Sequence, residues 1–336
     1  MRKLRNQGGA LISALFISAL AAIMATALAL QGRLLLAEAE LALHADQTYL
    51  NMQSMQFAAK DAVLMYAAQF VNTQNVPPEV RPLQREMPPV HINGMTLTTT
   101  IDSELGKFNL NDLIYPANQP RFVVLLRSVL PSVRQSESIA IAQSITAWMT
   151  NGADDMYYLR LKPSYRSSEN EFTDMSELKL IKGVTPQIYV TLAPYITALP
   201  VVKPSAVIPP VQPANSQSPP VQQAVTVTPA DVNALLAPVL VTVAPTLNIG
   251  QAEALVQCRK SAGAFSTVQA FITTCGQQAG VASLTNGTTT ANYFLVTVMG
   301  VYKNRSFILK SLLHTKVKKN NKLSRLVVDV VWQEFS

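Results

Sequence analysis

The sequence predicts an α+β chain: a long N-terminal helix that starts in a membrane, a small antiparallel sheet, and a large helical segment inserted in that sheet. Three observations predict it. A run from Ala10 to Leu30 carries no ionisable side chain and passes without a proline into a further helical stretch. Alternating strand patterns stand on both sides of a long middle region, at Met95, Leu97, Thr99 and Ile101 and again after Tyr293. The middle region itself has apolar residues at helical period.

The N-terminal run is long enough to span a bilayer, which takes about 20 apolar residues. Arg2, Lys3 and Arg5 precede it and Glu38, Glu40 and Asp46 follow, so the flanks favour a cytoplasmic N-terminus with the bulk of the chain across the membrane. The segment "ATALA" also offers small residues to a signal peptidase, and a soluble secreted protein beginning near Ala29 is a competing reading. From Gln31 to Phe70 no proline interrupts, and Leu36, Leu43, Leu50, Phe57 and Leu64 recur at sevens. One helix of about 60 residues, on the order of 90 Å long, is expected to leave the membrane and become the spine of a soluble domain. Asn72, Asn75, Pro77 and Pro78 are expected to end it.

Asn93-Gly94 predicts a turn into the first strand. Three further strands are predicted at Tyr293 to Tyr302, Ser306 to Thr315 and Leu323 to Phe335, a meander that pairs back on the first strand. Between them, "QPRFVVLLRSVLP" and "SESIAIAQSITAWMTNG" have helix-period faces, with Ser136 as a cap and Asn151-Gly152 as a stop. "SELKLIKGVTPQIYVTLAPYITALP", "TPADVNALLAPVL" and "NIGQAEALVQCRKSAGAFSTVQAFI" also read as helical. Residues 200–228 are rich in proline, glutamine and serine and read as an extended loop. The expected organisation is a leader over 1–8, a transmembrane helix over 9–32, spine and first strands over 33–107, the inserted domain over 108–283 and the meander over 284–336.

A short basic leader, a glycine, and a spanning helix that continues as a domain spine resemble a type IV pilin-like precursor. The resemblance implies cleavage by a prepilin peptidase between Gly8 and Gly9 and N-methylation of Gly9. Ser13 then stands at the fifth mature position, where most members carry a glutamate that meets a neighbouring subunit. A carboxylate in a bilayer costs a few kcal/mol unless paired, whereas a serine hydroxyl bonds back to its own helix. The order "GKFNLNDL", "AWMTNGADDMYY", "SELKLIKGVTPQIYVTLAPYITALP", "ALVQCRKSAGAFSTVQAFI", "NYFLVTV" resembles the K-type minor pseudopilins of type II secretion, which also lack that glutamate. This implies a pilin-like fold and a place in the bacterial inner membrane as a single-pass protein. It also implies partnership with I-type and J-type minor pseudopilins, the major pseudopilin, the prepilin peptidase and the inner-membrane secretion platform. The implied role is to begin a pseudopilus and sit at its tip during export of folded periplasmic proteins.

The residues point away from an enzyme. No nucleophile motif, phosphate loop or zinc spacing stands out, and His44, His91 and His314 are widely separated. Asp154 and Asp155, followed by Glu169, Glu171, Asp174 and Glu177, offer hard oxygen ligands of the kind Ca²⁺ takes. Asp154, Asp155, Glu169 and Asp174 are the candidate ligands, against a solvated loop balanced by Arg160, Lys162 and Arg166. The resemblance implies calcium near here, but Met149 and Thr150 stand where members usually carry aspartate. Cys258 and Cys275 form an even pair that suits a disulfide in an oxidising compartment, against two buried thiols.

The formal net charge is +7, with its densest group at Lys316, Lys318, Lys319 and Lys322. No long basic stripe accompanies it, so charge alone argues weakly for nucleic acid. Two segments resemble helix-hairpin-helix units, with Lys182-Gly183 and Lys260 near Gly263 as the turns that would meet phosphates. Their mostly apolar flanks favour compact packing, so a DNA-engaging pilin-like protein is the alternative and nucleic acid the disfavoured partner.

Overall fold

A computed structural model describes residues 8–70, 80–150, 155–201, 227–302, 305–320 and 323–336. The expected helix stop at Asn72 to Pro78, the Asn151-Gly152 stop and most of the proline-rich loop lie outside these residues. Helix α1 runs Gly8–Ala68 as one uninterrupted element. Strands β1 (Glu86–Ile92) and β2 (Met95–Ser103) follow as a hairpin. Its turn places Asn93 at φ 53° and Gly94 at φ 74°, the left-handed pair that matches strand twist.

Strand β1 escaped the sequence reading because Pro88 and Pro89 interrupt it. The pairing shifts register between Met87 and Val90, across those prolines, and β1 is the edge of the sheet. Edge position is what lets two residues without N–H donors sit in a strand.

After β2 come the short strand β3 (Phe108–Asn109) and helices α2 (Gln119–Val129), α3 (Gln135–Met149), α4 (Asp155–Leu159) and α5 (Pro186–Leu192), with β4 at Ile196–Thr197. Then β5 (Ala230–Asp231), α6 (Ala237–Val243), α7 (Ile249–Ala262), α8 (Val268–Phe271) and β6 (Gly287–Thr288) lead back to β7 (Tyr293–Tyr302). Strands β8 (Arg305–Asn320) and β9 (Leu323–Phe335) close the chain, and the main sheet has the order β1-β2-β7-β8-β9. Strand β2 pairs antiparallel with β7 from Met95↔Tyr302 to Ser103↔Phe294. The inserted segment therefore leaves and re-enters at neighbouring positions, which is how a large domain is added without disturbing the sheet.

Two differences from expectation are local. Ser136 is the second residue inside α3, whose N-cap is Arg134 with no side-chain cap bond. The segments 176–200 and 228–240, expected as helices, break into a 3₁₀ turn, short helices and the strands β4 and β5. Proline at 186, 194 and 238 keeps these pieces short.

The sheet module and the inserted segment have separate cores. Met52, Ala59, Val63, Leu97, Ile101, Phe294, Val296 and Leu309 are fully buried between α1 and the sheet. Burying each large side chain contributes about 1.5–3 kcal/mol. The inserted segment is organised around Phe122, Leu125, Ile141, Ile145, Trp148, Leu178 and Leu192. Leu105, Leu199 and Leu312 form a small third cluster where the two meet.

Candidate assembly surface

Helix α1 has two physically different parts. Residues Leu11–Leu36 have a mean hydropathy of 2.3 and none of the span is buried within the chain. At 1.5 Å per residue that is about 39 Å, enough to cross a hydrocarbon core of about 30 Å. Its hydroxyls are satisfied inside the helix: Ser18 Oγ donates to the Leu15 carbonyl at 2.9 Å and Thr26 Oγ1 to the Ile23 carbonyl at 2.8 Å. Ser13 lies on this span, one turn beyond Gly9. Gly8 and Gly9 form the helix start.

From Thr48 onward the helix packs on the sheet, and the buried stripe is Thr48, Met52, Met55, Gln56, Ala59, Val63, Tyr66 and Phe70. Gln56 Nε2 donates to Ser311 Oγ at 2.7 Å, and the Tyr66 ring meets Phe294 edge-on at 6.1 Å. This stripe is not the series Leu36, Leu43, Leu50, Phe57 and Leu64 that recurs at sevens. Leu50 and Phe57 are 62% and 59% exposed, Leu36 is exposed and Leu64 is half-buried. Seven residues cover about two turns, so two parallel stripes share one helix, and the sheet takes the one rich in Met and Ala. The large Leu and Phe side chains are left facing outward.

The segment "GKFNLNDL" turns out to hold the inserted domain together. A Cβ on Gly106 would lie 2.5 Å from the Ala234 carbonyl oxygen, so only glycine allows this approach. Asn109 Oδ1 accepts from the Leu199 and Asn111 N–H groups, while its Nδ2 donates to the Leu199 carbonyl and Thr228 Oγ1. Asn111 Oδ1 accepts from the Phe172 N–H at 2.7 Å, and its Nδ2 donates to the Phe172 and Leu199 carbonyls. Asp112 accepts from the Thr228 N–H and hydroxyl. Burial raises the Asp112 carboxyl above its ordinary range, while the Thr228 bonds and the charge of Arg121 oppose the rise. The connection around Phe172 and both ends of the β4–β5 connection are thus tied to one short buried segment. Sequence reasoning used this segment only for its resemblance; three amides and acids inside an apolar frame were the signal that it was also a hub.

At the two hairpin turns Lys182, Gly183 and Lys260 are exposed, while groups beside them pack on the protein. Gly183 has φ 89°, and a Cβ there would press on Ile141 Cγ1 at 3.1 Å. Lys182 places its Nζ 4.7 Å from the centre of the Tyr157 ring. In the second unit, Arg259 Nη1 donates to the Val232 and Leu235 carbonyls, and Ala264 bridges to Val80. Cys258 on α7 is joined to Cys275 beyond α8, with Cα atoms 5.8 Å apart.

The acidic region does not gather. Among the described residues no group of three or more His, Cys, Asp and Glu is placed to hold a metal ion. Asp154 lies outside the described residues and Asp155 opens α4. Glu169 adopts φ 50° and its N–H donates to the Trp148 carbonyl. Asp174 caps the turn at Ser176 with Glu177 reaching back to Asp174, and Glu171 accepts from the Val201 N–H. The Asp174, Glu177 and Glu171 carboxylates are thus engaged in capping and loop closure.

Comparison with known proteins places these features. A family model for type II secretion system protein K matches residues 106–201, and a second for the same protein matches 230–297. The chain is 31% identical over 128 residues to type II secretion system protein K of Pseudomonas aeruginosa, covering 34% of this chain and 38% of that protein. It is 31% identical over 113 residues to the Aeromonas hydrophila protein K, covering 28% and 34%. The Pectobacterium carotovorum protein K is 32% identical over 94 residues, covering 26% and 27%. The matched segments thus span well under half of these relatives. A chain from the crystal structure of the GspK-GspI-GspJ complex of enterotoxigenic Escherichia coli superposes with a TM-score of 0.56 at 18% identity, over 87% of this chain and 98% of that one. That likeness establishes a common fold: a long helix, an antiparallel sheet and an inserted helical domain. Both protein K models are matched in order across the inserted segment and the start of β7, so residues 106–201 and 230–297 carry the two domains of type II secretion system protein K.

Proposed function

We propose that this chain is a non-enzymatic minor pseudopilin that begins assembly of a type II secretion pseudopilus and occupies its tip. The observation that carries the reading is the single helix α1, bare and apolar through Leu11–Leu36 and packed on a sheet from Thr48 onward. Such a helix is extractable from the bilayer as one unit with the domain it carries. Prepilin peptidase cuts between Gly8 and Gly9 on the cytoplasmic face, Gly9 becomes the methylated N-terminus, and the domain lies in the periplasm. Ser13 offers no carboxylate to a subunit ahead, and residues 108–283 add bulk that a subunit stacked above would have to clear. Both suit the leading position.

The partners in this reading are I-type and J-type minor pseudopilins, because the superposed chain belongs to a complex of that composition. The major pseudopilin adds below. No calcium step enters the reading: Asp174 and Glu171 are engaged in capping and loop closure.

Mass analysis of the mature N-terminus, in cells with and without prepilin peptidase, tests the reading. The expected species begins at methylated Gly9 and reverts to the uncut chain when the peptidase is absent. A start near Ala29 in both strains would replace the reading with a signal-peptidase product. Failure to co-purify with I-type and J-type subunits would remove the tip assignment.

A further inference from the structure

A cleft of about 560 Å³ separates part of the sheet module from the inserted domain. Beside it the two are joined through the turn at residues 231–236, which links β5 to α6. The inserted domain holds this turn firmly. Arg259 Nη1 donates to the Val232 and Leu235 carbonyls, and the Asn233 side chain exchanges two hydrogen bonds with the backbone of Phe265. The sheet side holds it by less. The Gly106 carbonyl accepts from the Leu236 N–H at 3.3 Å, and Ser103 Oγ donates to Asp231 Oδ2 at 3.1 Å. Ser103 is the last residue of β2, so the Asp231 bond spans the point where the chain leaves the sheet.

Asp231 is an ionisable group in a place that disfavours its charge. It is only 1% exposed, and its carboxylate receives two donors, Ser103 Oγ and the Asn233 N–H. An ionised carboxylate has about four acceptor sites to fill, and a buried charge is costly where they stay empty. Its neighbours do not remove that cost. Tyr66 on α1 faces it with a phenol whose ionisation burial suppresses, and Arg259 on α7 directs its Nη1 hydrogen bonds to carbonyls. Around the cleft, Arg85 is paired with Asp102 and Lys107 with Glu104, while Lys260 is exposed. Burial accordingly holds the Asp231 carboxyl up at about 6, against the pull of Asn233, Ser103 and Arg259. Ser103 and Asp231 both line the cleft, whose volume is ample for water. Water can complete the shell of the ionised carboxylate where these two residues part.

We propose that Asp231 is a proton-operated latch between the two modules. Protonated, it keeps the 231–236 turn closed on Ser103 and Gly106. Ionised, with its proton passed to water, it draws water from the cleft and the turn parts from the sheet, while the sheet itself stays intact. The latch rests on the geometry of this junction and is independent of the pseudopilin reading.

Hydrogen exchange of the full chain in detergent micelles tests it, read by mass spectrometry from pH 5 to pH 8 with rates corrected for intrinsic exchange. Residues 103–107 and 230–236 are expected to exchange about tenfold faster at pH 7.5 than at pH 5. That is the ratio for a carboxyl titrating near its ordinary 3.8 when open and near 6 when closed. Residues 294–299 and 308–313, in the ladders of β7 and β8, are expected to keep their corrected rates. Asp231→Asn, which has no carboxyl to ionise, is expected to abolish the pH response at the junction. Ser103→Ala removes a donor that favours the ionised form, so the pH at which the rise levels off is expected to move upward. A flat response in the parent, an unchanged response in Asp231→Asn, or an unmoved plateau in Ser103→Ala would overturn the latch. Equal acceleration in the β7 and β8 segments would also overturn it, by showing opening of the whole chain.

Discussion

The sheet module and the inserted domain are stabilised in different ways. In the sheet module, long elements carry the order: strands of 9 to 16 residues (β2, β7, β8 and β9) share continuous ladders, and one helix buries a single stripe on them. In the inserted domain no strand among the described residues exceeds two residues, and the segments are held by Asn109, Asn111 and Asp112, by Arg259, and by one disulfide. Regular backbone pairing makes a module tolerant of single polar losses. A domain built from short pieces concentrates its stability in a few buried side chains.

The largest effect is accordingly expected at Asn111. Asn111→Leu removes the acceptor for the Phe172 N–H and the donors for two carbonyls, leaving buried groups unpaired at about 1–3 kcal/mol each. A loss on the order of 4 kcal/mol is expected in urea denaturation of the detergent-solubilised chain. Thr99→Val, in the sheet, is the contrasting case: the Thr99 hydroxyl is buried without a partner among the described residues, so its removal is expected to be neutral or stabilising. A small loss at Asn111 would show that the hub is not what joins these two connections.

The disulfide comes next. Cys258 and Cys275 close a separation of 17 residues, for which the chain-entropy account gives about 3 kcal/mol. The double substitution to serine is expected to accelerate hydrogen exchange in α7 and around 268–276 while leaving β7 to β9 protected. Uniform acceleration across the sheet would mean that the two modules unfold as one unit.

A pH-dependent contribution of similar or smaller size is expected at the junction. Burial pushes the Asp231 carboxyl up to about 6 from its ordinary 3.8, opposed by the Asn233 N–H, Ser103 and Arg259; the Tyr66 phenol also faces it. A carboxyl raised on folding favours the folded state fully below about pH 4, and this contribution is lost as pH rises through about 6. A rise of that size corresponds to about 3 kcal/mol. Asp231→Asn is expected to be relatively more stable than the parent at pH 7 than at pH 4, read from paired denaturation curves. Equal pH profiles for the two proteins would show that Asp231 is not held neutral.

How far the sequence was legible follows the same division. The spine helix, the Asn93-Gly94 turn and the three C-terminal strands were readable because periodicity accumulates over long elements. Strand β1 was hidden by Pro88 and Pro89, whose tolerance depends on an edge position that only the sheet order defines. In the inserted domain the sequence supplied the order of segments but not their function: Asn109 and Asn111 act on partners 61 to 119 residues away, and no local pattern reports that. Asp174 read as a candidate ligand from spacing, which does not report the cap that its carboxylate forms at Ser176.

The smallest stability effect is expected at the heptad residues that the sheet does not use. Leu50 and Phe57 are more than half exposed, with Lys60 Nζ 5.1 Å from the Phe57 ring centre, and the buried stripe on Met52, Ala59 and Val63 does not depend on them. Leu50→Ser with Phe57→Ser should change the denaturation free energy of the isolated chain by no more than about 1 kcal/mol, the range for two exposed substitutions. In the proposed assembly the same stripe continues outward from the membrane span toward neighbouring helices. Co-purification with I-type and J-type subunits is therefore expected to fall while the isolated chain stays folded. If instead the isolated chain loses several kcal/mol, the heptad stripe contributes to the spine's own packing, and the separation of one helix into a sheet face and an outward face is wrong.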